Sequence, residues 1–261
     1  MRNLTSWLFV ALITLAIGMI VISVRPPSPF NVGSPEKEST PAQSQNKYDE
    51  ILNVLMPNGV WGDASQLNHF ARSEEIEVLR RAQLDAKGER AIGIAFLLTA
   101  LGEDYEANRR KLLDALKECG KKSYPQEGEC TYGVVYYLMQ LSRRGDDSLF
   151  NAILNASDKA DGAFSQDLGG FWSDMLKARP DQFLAALARY PKKRQRGFCR
   201  DAGIEDGSGM DEERFRSISL LLNDISARSN SPLSTIARNC LSGVRGGYNE
   251  GIESAKSRDA M

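Results

Sequence analysis

Few residues in this chain could carry chemistry, and their types narrow what that chemistry could be. There is one histidine, His69, so a Ser-His-Asp or Cys-His pair would have to be built on it. Gly207-Ser208-Gly209 lacks the first glycine of a nucleophile elbow and does not lie between a strand and a helix. No C-x-x-C occurs, which removes the basis for a thioredoxin-like or zinc-ribbon site. The acidic stretch 201–213 lacks EF-hand spacing. Neither a metal nor a cofactor is therefore expected. Glu74 and Glu75 are the pair that could serve glycoside cleavage, which needs two carboxylates. The ordinary explanation is their place near a helix start, as partners of the helix dipole. Trp61, Trp172 and His69 read as packing or surface residues.

The four cysteines, Cys119, Cys130, Cys199 and Cys240, are an even set, which outside the cytoplasm points to disulfides. Cys119 and Cys130 bracket a short polar loop and are expected to pair. Cys199 is then expected to pair with Cys240 across a helix over 211–228. The other two connectivities remain open, and a body facing the cytoplasm would instead keep four free thiols. The densest basic run is Arg189, Lys192, Lys193, Arg194, Arg196 and Arg200, with Tyr190 and Phe198 interleaved. Pro191 reads as a helix start, where clustered cations oppose the dipole. That misfit points to an anionic partner: lipid headgroups, cell-wall polymer or an acidic protein. The competing reading is a solvated surface balanced by the acids that follow, Glu205, Asp206, Asp211, Glu212 and Glu213.

The elements that must position these residues are helices. The chain has 261 residues, 42% hydrophobic and 26% charged, with a formal net charge of −1. Such a composition suits a folded body and gives no global case for nucleic acid. Residues 1–47 carry four basic and two acidic side chains, leaving a net of about −3 beyond them. Strand signals are scarce after residue 48, and the apolar residues recur at helical spacing. Residues 91–101 are apolar nearly all round and predict a buried helix, stopped by Gly102. Residues 132–141 repeat the pattern, with Gly145 as stop. In 170–190 a stripe of Phe171, Trp172, Met175 and Leu176 is followed by Pro180 and a second stripe of Phe183, Leu184 and Leu187. Gly93, Gly133 and Gly170 stand 40 and 37 residues apart, and Ser217 follows 47 later with similar apolar offsets.

Periods near 40 are those of HEAT and armadillo repeats, about 40–47 residues. Over 84–248 the chain resembles the HEAT-like α-solenoids. The resemblance implies an all-α stack of helical hairpins, each hiding its apolar stripes against its neighbours. It also implies an interaction scaffold, since the face of such a stack commonly binds another protein. Two other readings are an all-helical cell-wall glycan hydrolase with a glutamate as general acid, and a structural spacer with no ligand.

Before that body, residues 7–24 run without a charge, near the lower limit of a spanning helix of roughly 17–25 residues. Residues 1–24 are read as a membrane anchor, with a cleaved signal as the alternative. Residues 25–47, rich in Pro and Ser, are read as a disordered linker, 48–249 as the helical-repeat domain and 250–261 as a flexible tail. These expectations place a single-pass protein in the inner membrane with its body on the extracytoplasmic side, or a protein secreted to the periplasm.

Overall fold

The computed structural model describes residues 41–119, 127–157, 160, 162–205, 209–228 and 231–259. The apolar run at 7–24 and the segment 25–40 lie outside the described residues. Among the described residues there is no strand. Eleven α-helices follow one another among the described residues: α1 Pro41–Leu55, α2 Arg72–Asp85, α3 Gly88–Ala100, α4 Tyr105–Cys119, α5 Glu127–Arg143, α6 Phe150–Ala156, α7 Gly162–Ala178, α8 Pro180–Leu187, α9 Lys192–Ile204, α10 Glu212–Ala227 and α11 Ser234–Asp259. None of them is long and apolar enough to cross a membrane.

Helix α3 is the element expected to be apolar all round, and Gly93 to Thr99 are all buried. Thr99 is tolerated there because its hydroxyl donates to the Ala95 carbonyl at 2.7 Å, the local bond that lets a buried Thr sit inside a helix. Gly102 ends this run with φ +77° and Gly145 ends α5 with φ +121°, both left-handed conformations that glycine adopts without steric penalty. Pro180 opens α8 at its first turn, where no N–H is needed. The aromatic centre of the core joins three helices. Phe150 of α6, Phe171 and Trp172 of α7 and Phe183 of α8 lie with ring centroids 4.8–6.3 Å apart, and each is at most 1% exposed.

Helices pack mainly on near neighbours in sequence. Successive pairs α2–α3, α3–α4, α4–α5, α5–α6 and α7–α8 touch, and so do the alternate pairs α3–α5, α5–α7, α7–α9 and α9–α11. The row α3, α5, α7 is thus continued by α9 and α11. The fourth register position, Ser217, falls instead on α10, which packs on α7 and α11. Periodicity passed over α9 because its buried face is Gln195, Phe198, Cys199, Ala202 and Gly203. Four of those five are small or polar and make no apolar run. The glycine register shifts as well. A Cβ on Gly93 would meet the Val60 carbonyl at 2.5 Å and one on Gly133 the Trp61 ring at 1.9 Å, yet one on Gly170 meets nothing within 4 Å. Gly169 is the residue in close contact, against the backbone of Asp201 and Glu205 in α9 and its cap.

Both ends of the body extend further than expected. The linker read as running to Lys47 is helical from Pro41. Lys47 pairs with Glu74 of α2, which ties this part of α1 to the body. The tail read as starting at residue 250 is helical to Asp259. Glu250 pairs with Arg200, and Gly251 lies so close to Gly209 that a Cβ would come within 2.6 Å of its Cα.

Candidate basic groove between helices α9 and α11

Helices α9 and α11 run side by side in the same direction. Gln195 accepts from Asn239 at 2.8 Å, Cys199 is bonded to Cys240, and Gly203 faces the backbone of Val244 and Tyr248. Backbone approaches backbone because glycines line the seam. A Cβ on Gly243 would lie 2.4 Å from the Arg196 carbonyl, and one on Gly247 2.0 Å from the Arg200 carbonyl. The Cys199–Cys240 bridge is the pairing expected from sequence. Both residues are 0% exposed, and their Cα atoms are 5.1 Å apart. Cys119 is also disulfide-bonded, whereas the Cys130 side chain, its expected partner, lies outside the described ones.

The basic run sits on the outer side of this seam. Lys192, Lys193, Arg196 and Arg200 of α9 face Ser242, Gly243 and Gly246 of α11 across an open groove of about 590 Å³. All four cations are exposed. Arg200 is held by Glu250, Nε to Oε2 at 2.9 Å and Nη2 to Oε1 at 2.6 Å, with Asp201 3.7 Å away. Burial and the nearby Glu250 push the Asp201 carboxyl upward, against the pull of Arg200. Among the described residues no carboxylate pairs with Lys192, Lys193 or Arg196. The start of α9 has no acidic residue in its first turn, and its N-cap, Pro191, gives no side-chain hydrogen bond.

The remaining members of the run behave differently. Arg194 folds back over Tyr190 and Phe198, its guanidinium 5.2 Å from each ring centroid, a cation–π arrangement. Arg189 is exposed on the turn ahead of α9. Three of the acids that follow in sequence are engaged elsewhere. Glu205 binds Arg214 and Ser173, Asp211 caps α10 at the Arg214 N–H, and Glu212 pairs with Arg216. Asp206 lies outside the described residues.

A second cationic surface, which sequence reading missed, follows the helix junctions. Arg72 donates to the Leu101 carbonyl at the end of α3, and Arg144 donates to the Ala100 and Ala64 carbonyls, each at 3.2 Å. Arg179 donates to the Ser142 carbonyl near the end of α5 and pairs with Asp147. Leu101, Ala100 and Ser142 lie at helix C-terminal ends, where the dipole favours a cation, while the Ser142 and Ala64 carbonyls also accept from the Gly145 and Leu67 N–H groups. Arg143 and Arg214 share Asp174, and Arg109 binds Asp146 at 2.6 Å. Open hollows of about 760 and 800 Å³ lie along these junctions. Apart from Lys177, their cations are already matched to a carboxylate or a carbonyl, so this surface holds helices together.

The other sequence candidates have structural partners. Glu75 is fully buried, and its two oxygens accept from the Asn68 and Phe70 N–H groups, each at 3.1 Å. It pins the turn before α2. Glu74 is engaged by Lys47. His69 is exposed and meets Phe70 edge-on at 5.1 Å. Among the described residues no group of His, Cys, Asp and Glu could hold a metal ion. Trp61 packs on Gly133 beside a hollow of about 460 Å³ rimmed by Tyr132 and Tyr136. There the Tyr132 hydroxyl donates to Asp167, a bond that with partial burial pushes its pKa up to about 12. The Tyr137 hydroxyl accepts from the Gly62 N–H at 2.8 Å, and its ring stacks on Phe96 at 4.1 Å. Those two hydroxyls hold the wall of the hollow in place.

No protein-family model matches this chain, and neither a curated protein nor a solved structure matches it.

Proposed function

We propose that this protein is a HEAT-like helical-repeat scaffold that binds another protein, held at a membrane by residues 7–24 with its body on the extracytoplasmic side. The supporting observation is the pattern of packing: helices touch their sequence neighbours and next neighbours, with α3, α5, α7, α9 and α11 in one row. Stacks of this kind present long continuous faces assembled from many short elements, and those faces are how such folds engage partners. The step from architecture to binding is made by analogy of fold. Chemistry of the described sites adds weight, because Glu75, the buried carboxylate of the glycan-hydrolase reading, serves the chain's own backbone.

The test is photo-crosslinking in cells from exposed positions spread over the body, with identification of what is attached. Reproducible capture of the same protein from adjacent positions on one face is expected. Capture of none, or release of glycan by the purified chain, would contradict the scaffold reading.

A further inference from the structure

Among the described residues, Lys192, Lys193 and Arg196 of α9 form a set of cations without matching acids. We infer that the groove between α9 and α11 is a docking site for an extended acidic polypeptide segment of the partner; this rests on the scaffold reading and names the chemistry it would recognise. Three observations carry it. Lys192, Lys193 and Arg196 have no carboxylate partner among the described residues, while nearly every cation along the helix junctions has an acid or a carbonyl. Like charges held together on one helix repel, and Lys192 and Lys193 sit at the positive end of its dipole, so an arriving anion relieves a standing cost. Three of the acids that sequence places nearby, Glu205, Asp211 and Glu212, do not supply it, because Arg214, Arg216 and the α10 N-terminus hold them.

The shape of the groove selects the kind of anion. Gly197 and Gly246 stand among the cations with nothing within 4 Å of where a Cβ would lie, so a main chain can approach without meeting side chains there, and its carboxylates can reach the lysines and arginine on the rim. A flat anionic membrane is a poorer match. The large exposed hydrophobics among the described residues are Leu84, Tyr136 and Leu220, and none of them borders the groove, so no apolar side chain stands ready to enter a bilayer beside the cations. A nucleic acid strand would lack stacking platforms, since Arg194 covers the rings of Tyr190 and Phe198.

Fluorescence anisotropy of a fluorescein-labelled decaglutamate peptide tests this on the full chain in neutral detergent micelles at low salt. The peptide is expected to bind, and the variant Lys192→Gln/Lys193→Gln/Arg196→Gln to bind it about tenfold or more weakly, with added salt eroding the difference. A control with the same charge loss elsewhere, Lys87→Gln/Arg90→Gln/Arg110→Gln, is expected to keep the parent affinity. Absence of peptide binding, or equal loss in both variants, overturns the proposal. It is overturned too if the groove variant leaves peptide binding intact and loses only its affinity for phosphatidylglycerol vesicles over phosphatidylcholine ones. Folding of the groove variant is checked by circular dichroism, and Lys192→Arg/Lys193→Arg, which keeps the charge, is expected to restore binding. If cellular crosslinking captures one partner equally well from the parent and the groove variant, the docking site is wrong and the scaffold reading stands.

Discussion

Asp146 shows how a single side chain organises a junction between helices. It accepts from the Tyr105 hydroxyl and from Arg109, each at 2.6 Å, and from the Ser148 N–H at 3.2 Å. Burial alone would raise its carboxyl pKa, but bonds from Ser148, Tyr105 and Arg109 bring it below the ordinary 3.8. The Tyr105 hydroxyl is driven upward by burial and by the same bond. A carboxylate with a depressed folded pKa contributes stability that is fully present above its unfolded value and is lost as pH falls through the folded one. Asp146→Asn should therefore destabilise the chain near neutrality, by about 1–3 kcal/mol for a charged hydrogen-bonded group. The gap from the parent should hold at pH values above the ordinary 3.8 and close as pH falls below it, through the lower folded value, as the parent's own carboxylate is protonated. Denaturant midpoints measured across that range check this, and a gap that stays constant would mean that the charge of Asp146 is not what matters. Sequence made legible the stop at Gly145, directly ahead of Asp146. Its ties to Tyr105 and Arg109 were not legible, because those residues lie 41 and 37 positions away. The arginine caps at Arg72, Arg144 and Arg179 were hidden for the same reason: local spacing says nothing about a carbonyl contributed by another hairpin.

At the scale of elements, the seam between α9 and α11 is the part least visible in the sequence and most dependent on missing side chains. Hydrophobic periodicity registers large residues, and this interface is made by their absence. Gly246 and Gly247 are adjacent on α11 but face opposite circumstances. A Cβ at Gly247 collides with the Arg200 carbonyl, while one at Gly246 meets nothing within 4 Å. Gly247→Ala should cost about 1–3 kcal/mol through overpacking. Gly246→Ala should be neutral or stabilise by about 0.5–1 kcal/mol, since alanine is the better helix former. Chemical denaturation followed by circular dichroism separates the two, and equal effects would show that the helices do not approach as closely as described. The large-residue helices, by contrast, were readable: the apolar residues of α3, α5, α7 and α8 are mostly buried where apolar spacing put them. The Cys199–Cys240 bridge was readable too, though the seam it crosses was not.

At the scale of the whole molecule, the all-helical class followed from the lack of strand signals and the recurrence of glycine stops. The spaced glycines Gly93, Gly133 and Gly170 fell on α3, α5 and α7. From there the small-faced α9 took the place assigned to the helix at Ser217. If each helix is held chiefly by its sequence neighbours, damage at one place should stay local, as it does in arrays governed by nearest-neighbour terms. Native-state hydrogen exchange on Gly247→Ala, compared with the parent, measures this most directly. Amides of α9 and α11, and of their neighbours α7 and α10, should exchange faster, while those of α2 to α5 keep the parent's protection. Equal loss of protection in every helix would show a single cooperative core and contradict a stack built from neighbouring pairs.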